Sequence, residues 1–207
     1  MREKLTFRDF LFYNECVKYG SGIFGSIGEG ESGLNENIKR DVTAALFAAM
    51  TAIFTQLIIP IQPVPITLGT MAVMMAGAVL GAHYGALSMI IYVLLGAAGL
   101  PVFAMAHGGV GVLIGPGGGF ILGYILTAFV VGWCTDRWGH SFRVLIQAMI
   151  AGCLTVYACG VAWFMGLTGA GMWSAMVMCM FPFLPGDVVK VLLGAFLVSR
   201  YRKSIHF

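Results

Sequence analysis

From Val42 to Ser199 the chain carries only five charged residues, Asp136, Arg137, Arg143, Asp187 and Lys190. A stretch so long and so poor in charge cannot maintain a water-facing surface, and it is therefore committed to a bilayer. Composition points the same way: of 207 residues 59% are hydrophobic, 10% are charged and 29 are glycine, and mean hydropathy is +0.89. A helix crosses the hydrocarbon core of roughly 30 Å with about 20 residues, which leaves room for about six spans.

The first span is read at residues 42–59 and ends at the proline-punctuated PIQPVP of residues 60–65. A second covers 66–82, and the short link GAHYG (81–85) returns it as a third that runs to Leu100, an antiparallel helical hairpin. The segment PVFAMAHGGVGVLIGPGG (101–118) is too rich in glycine for a stable helix and too apolar for an ordinary solvated loop. Further spans are read at 119–134, 144–167 and 186–199, and the apolar stretch 168–185 is expected to pack at the membrane surface. The expected fold is an all-α integral membrane protein of six transmembrane helices with irregular, glycine-rich loops on the outer side.

Residues 1–40 are read as a cytoplasmic tail, with a short amphipathic helix near residues 5–19 and a Gly/Ser/Glu-rich linker, ahead of a membrane domain at 41–207. The first residues lack the apolar core and small-residue cleavage site of a leader, so no cleaved signal is expected. Lys39 and Arg40, Arg137 and Arg143, and Arg200, Arg202 and Lys203 all fall on one side of a six-span chain. By the positive-inside bias that side is cytoplasmic, and both termini are inside. The connections at 60–65, 101–118 and 168–185 hold no charged residue, and His107 is their one group that titrates near neutrality.

Asp136, Arg137 and Arg143 fit a cytoplasmic loop; Asp187 and Lys190 do not. They lie three residues apart, on one face of a helix, within the sixth span. Each costs at least about 2.5 kcal/mol in hydrocarbon, so the pair must face protein, water or a ligand. One reading is a structural ion pair that pins the helix to its bundle. The other is a polar ligand site, which the neighbouring glycines favour, because irregular backbone at membrane depth is tolerated where it lines a cavity. Gly117, Gly118 and Gly119 also open the fourth span, where free N–H groups can receive an anion.

Several chemistries are not encoded. The chain has no H-E-x-x-H, no G-x-S-x-G and no G-x-x-x-x-G-K-[ST] motif, so neither a metallohydrolase, a serine hydrolase nor a nucleotide-driven motor is indicated. Five cysteines (Cys16, Cys134, Cys153, Cys159, Cys179) lack C-x-x-C spacing and read as small buried hydrophobes. No catalytic residue, metal, cofactor or nucleic-acid partner is expected.

Four stretches carry a resemblance: PVPITLGTMAVMMAG (63–77), GLPVFA (99–104), GGVGVLIGPGGGFILG (108–123) and PFLPGDVVK (182–190). Together, in this order and spacing, they resemble the BioY family, the biotin-binding S components of energy-coupling-factor vitamin transporters. The resemblance covers residues 42–203 and leaves the tail outside it. It implies a six-helix membrane fold in a prokaryotic cytoplasmic membrane, capture of biotin from outside, a transmembrane coupling subunit and two cytoplasmic ATPases. On the resemblance Asp187 and Lys190 occupy the family's ligand-contacting Pro-Gly-Asp-x-x-Lys positions. His107, Gly108, Gly109 and Gly118, with Tyr92, Phe103 and Phe120 as aromatic walls, complete the expected substrate site. Leu68-Gly69-Thr70 stands where the family usually has Leu-Gln-Thr, and Gly115-Pro116-Gly117-Gly118-Gly119-Phe120 where it has Gly-Pro-Thr-Gly-Gly-Tyr, so two polar side chains are absent; His107 is a candidate replacement.

Ala44, Ala48 and Ala52 form a small-residue stripe on the first span, suited to close approach by another helix. It packs either within the bundle or, as the resemblance implies, against the coupling subunit. Two alternatives to biotin capture remain at this level: an S component for another vitamin, and an intramembrane enzyme or ion- or proton-conducting protein that uses Asp187 and Lys190.

Overall fold

In a computed structural model, residues 32–59, 66–181 and 183–201 are described. The helix read at 5–19, the 60–65 connection, and Arg202 and Lys203 lie outside them. The described residues from Lys39 onward form one compact unit. The elements in order are α1 (Ser32–Gln56), β1 (Ile58–Ile59), β2 (Ile66–Thr67), α2 (Gly69–Ala97), a 3-10 turn (Ala104–Ala106), α3 (Val110–Ile114), α4 (Gly118–Trp138), α5 (Phe142–Thr168), α6 (Met172–Cys179) and α7 (Leu184–Tyr201). The two-residue strands pair antiparallel, Ile58 opposite Thr67 and Ile59 opposite Ile66, and clasp the ends of the first connection. Apart from this clasp, the described architecture is helical.

A straight 29-residue helix would be roughly 43 Å long, but α2 is not straight. Gly81 sits at φ 79° and ψ −177°, a conformation that an L side chain resists. A methyl group added at Gly85 would lie 2.8 Å from the Cα of Gly77, whereas positions eight apart on a straight helix are separated by about 12 Å. The chain therefore turns back at Gly81, and α2 is the hairpin expected from GAHYG. The returning arm begins with unpaired N–H groups, as every helix does. The Ala82 N–H donates to the Asp136 Oδ2 at 2.9 Å, so the carboxylate read as plain loop charge also caps this arm from the end of α4.

Glycine sets the helix spacing. A Cβ at Gly77 would lie 3.1 Å from the Ala128 Cα, and one at Gly132 would lie 2.6 Å from the Ala82 Cα. The backbones of α2 and α4 touch at these points, which only the smallest side chains allow. On the other side of α4, Gly152 of α5 receives Val131. Helix α7 packs against α5 and α2. The interior forms two apolar clusters, one around Tyr92, Phe103, Phe120 and Tyr157, the other around Met74, Val131, Leu145 and Met149.

Among the described residues, α4 and α5 are long and apolar enough to cross a membrane, α2 reaches that length and hydropathy over its two arms together, and α6 with α7, bent by 55°, would make a further span. Helix α7 is set apart by Asp187, Lys190 and Arg200 within its 18 residues.

Candidate ligand site

The FPFLPG turn ends in α7, whose first turn carries Asp187. Acceptors are favoured at this end of a helix, where N–H groups are free. Lys190 lies one turn further on, its Nζ 2.9 Å from Asp187 Oδ1. Both residues are buried, at 6% and 4% exposure. The Lys190 ammonium also donates to Thr70 Oγ1 of α2 at 3.2 Å, and the Tyr157 hydroxyl of α5 donates to Asp187 Oδ2. Three helices thus converge on one ion pair, and each carboxylate oxygen has a donor.

That inventory leaves room for more. An ammonium has three N–H donors, two of them used here, and a carboxylate has about four lone-pair sites. The pair can accept from an N–H and donate to a carbonyl on the same small group, with charge-assisted bonds in both directions. Such a pair is complementary to a planar urea-like edge.

Aromatic rings extend from its partner Tyr157. Tyr157 meets Phe183 edge-on with centroids 6.5 Å apart, and Phe183 stacks on Phe120 at 6.4 Å. Tyr92 meets Phe103 edge-on at 5.6 Å and Tyr124 at 6.3 Å. Tyr92, Phe103 and Phe120 are all buried in the same cluster. The Phe103 and Phe120 rings lie over Gly96 and Gly160, where any Cβ would fall against the ring. Gly69 also gains a reason: a Cβ there would come 2.5 Å from Thr55 Oγ1, so its absence lets α1 press on the start of α2.

Other expected members do not join the pair. His107 is exposed and its Nδ1 lies 3.1 Å from the Ala104 carbonyl oxygen, so it orders its own turn. Gly108 is exposed, tucked against the Gly99 and Leu100 carbonyls. The Gly109 N–H donates to Gly96 O at 2.7 Å and the Gly118 N–H to Gly115 O at 3.0 Å. These glycines let the 101–118 segment pack tightly, and two of their amides are already bonded to it or to α2. The alanine stripe divides by exposure. Ala44 and Ala48 are 0% and 1% exposed and face the chain's own interior, whereas Ala45 and Ala49 face out. Alanine doublets at 44–45 and 48–49 offer two rows at four-residue spacing, and sequence alone does not say which row points inward.

Thr70 and Phe183 are not singled out by the sequence, and Tyr157 is there only one of several aromatics that could sandwich an apolar ring system. For Tyr157 the available signal was its place beside Gly152, Val156 and Gly160, which mark the inward face of α5. The surface recess lined by Cys159, Ala162, Trp163, Gly166 and Leu167 contains none of the pair's partners.

The BioY family model matches residues 31–207. The biotin transporter BioY of Rhizobium etli is 40% identical over 168 residues, which cover 75% of this chain and 89% of the relative. That of Thermotoga maritima is 37% identical, over 80% of this chain and 97% of the relative. A solved structure, the S-component for biotin from an ECF-type ABC transporter, has a TM-score of 0.75 and 32% identity and covers 82% of this chain and 93% of that one. With its whole described helical region inside the family match, this chain belongs to the BioY family.

Proposed function

We propose that the chain captures biotin from outside the cell and acts as the substrate-binding S component of an energy-coupling-factor transporter in a prokaryotic cytoplasmic membrane. The observation that carries this reading is the buried Asp187–Lys190 pair, with its acceptor and donor side by side and bonded to Tyr157 of the aromatic cluster. Biotin's ureido group offers N–H donors and a carbonyl acceptor, which match that pair. Its fused rings suit the apolar faces of Tyr92, Phe103 and Phe120. Relatives named as biotin transporters support the same ligand.

The six crossings are α1, the two arms of α2, α4, α5 and α7, with both termini inside. Two contacts support this arrangement. Asp136, beside the Arg137–Arg143 connection, touches the Gly81 turn, so two connections of the expected inner side meet. Gln56, at the end of α1, touches the 101–107 segment, so two of the expected outer side meet. The chain binds and orients its ligand without catalysis or a cofactor, and the energy for uptake comes from a coupling subunit and two cytoplasmic ATPases.

The docking that the resemblance implies for the first helix falls to the outward row of Ala45 and Ala49, beside exposed Val42, Leu46 and Ile53. Ala49→Trp is expected to abolish co-purification with the coupling subunit and uptake while sparing biotin binding. Ala48→Trp, which fills the interior, is expected to unfold the chain. The reverse pattern would return the partner face to Ala44, Ala48 and Ala52.

Calorimetry on detergent-solubilised protein with biotin, thiamine and riboflavin tests the ligand. Biotin is expected to bind in preference to both, and to do so at high salt, because a buried charged site is weakly screened. Preference for either competitor would make the chain an S component for another vitamin. The internal partners Tyr157 and Thr70 favour a second reading, in which the pair only pins α7 to α5 and α2; binding of none of the three vitamins is its expected result.

A further inference from the structure

Met105 and Ala106 both adopt left-handed backbone, with φ of 61° and 55°, although neither is glycine. Such conformations are uncommon for residues with a Cβ and persist where the surroundings hold them. Within the segment, Phe103 and His107 close a bridge, with the Phe103 N–H donating to His107 O at 3.0 Å and the His107 N–H to Ala104 O at 3.4 Å. One hold from outside the segment is Gln56. Gln56, the last residue of α1, accepts from the Ala106 N–H through Oε1 at 3.0 Å, and its Nε2 donates to Phe103 O at 3.0 Å and Pro101 O at 3.4 Å.

The segment so held carries Phe103. Its ring is 1% exposed, lies over Gly96 and meets Tyr92 edge-on. Tyr92 in turn donates to Val102 O at 3.1 Å. Side chains from two helices therefore grip the carbonyls of adjacent residues, 102 and 103. The two grips differ in setting. Tyr92 is buried, whereas Gln56 is exposed and can exchange its bonds for water without being desolvated.

We infer that Gln56 is a positioning residue, a releasable latch that ties the 101–107 segment to the end of α1 and so holds Phe103 over the aromatic end of the ligand site. The inference rests on the reading of that site as biotin's, and it adds the element that controls ligand escape. Opening the latch lets the segment swing without disturbing Asp187, Lys190 or Tyr157, so it changes the rate of exit more than the contacts made once bound. It also joins the helix proposed to dock on the coupling subunit to the wall that confines the ligand.

Gln56→Leu tests this with two readouts on the full chain in detergent. The first is hydrogen–deuterium exchange of peptides spanning 101–107 without biotin, expected to quicken at least tenfold while α4 and α5 keep their protection. The second is release of radiolabelled biotin, expected to quicken at least tenfold with the association rate within twofold of wild type and thermal stability unchanged. Gln56→Glu keeps the acceptor for the Ala106 N–H and loses both donations, so an intermediate result is expected; it is also the variant to read if Gln56→Leu does not fold. Wild-type exchange at 101–107 in both variants would overturn the latch. Quickened exchange with wild-type biotin release would overturn its control of escape. Absence of biotin binding by the wild-type chain would instead remove the ligand reading and leave the exchange result to judge the latch.

Discussion

Asp187→Leu with Lys190→Met is expected to give a folded protein that no longer binds biotin, and each single substitution is expected to be less stable than the pair. Removing one member of a buried ion pair leaves an uncompensated charge, at a cost of about 3–5 kcal/mol, whereas replacing both by apolar groups of similar size is often neutral. The structure refines this. Asp187 also accepts from Tyr157, so the double variant strands a buried hydroxyl, at about 1–3 kcal/mol. Adding Tyr157→Phe to the double variant should therefore restore stability, although the same change costs stability in the wild type. That non-additivity is the mark of a shared network. Binding should follow a different pattern: it is lost in the double variant, and the triple variant, restored in stability, should not recover it. Melting curves and biotin titrations of the wild type and these five variants separate the two roles. A double variant that binds at wild-type affinity would leave the pair as a helix pin.

The other large effect is expected where backbones touch. At Gly132→Leu a side chain must enter the contact with Gly81 and Ala82, and backbone cannot turn aside as a side chain can. Overpacking usually costs about 1–3 kcal/mol. With α2 and α4 forced apart, the loss should exceed about 3 kcal/mol and leave little monodisperse protein on size-exclusion chromatography. Gly166→Ala is the control, since nothing lies within 4 Å of a Cβ there. It should leave the melting temperature unchanged or raise it, in line with a helix-propensity gain of up to about 1 kcal/mol. Equal behaviour of the two variants would contradict close α2–α4 packing.

The parts of the molecule that were legible in sequence are those where a residue type conflicts with its surroundings. Charge in an apolar helix exposed Asp187 and Lys190, and a five-residue link between apolar runs exposed the hairpin. The parts that were not legible depend on distant partners. Asp136 looks like loop charge until the chain folds and brings Ala82, 54 positions away, to its carboxylate. Gln56 looks like the polar end of a span until the 101–107 segment returns to it. Tyr157 is one aromatic among many in a bundle, and only the three-helix meeting point distinguishes it. His107 was attractive because it titrates in a segment without charge, but its ring has a nearer partner in the backbone of its own turn.

Recognition of the ureido group by Asp187 and Lys190 is tested most directly by calorimetric titration of the wild-type chain with biotin and with its diamine analogue, which has the same valerate tail but lacks the ureido carbonyl. The expected result is tight binding of biotin and at least a hundredfold weaker binding of the diamine, because Lys190 loses its acceptor and meets an amine instead. Equal affinity for the two would contradict it, and would place recognition in the tail and the apolar walls.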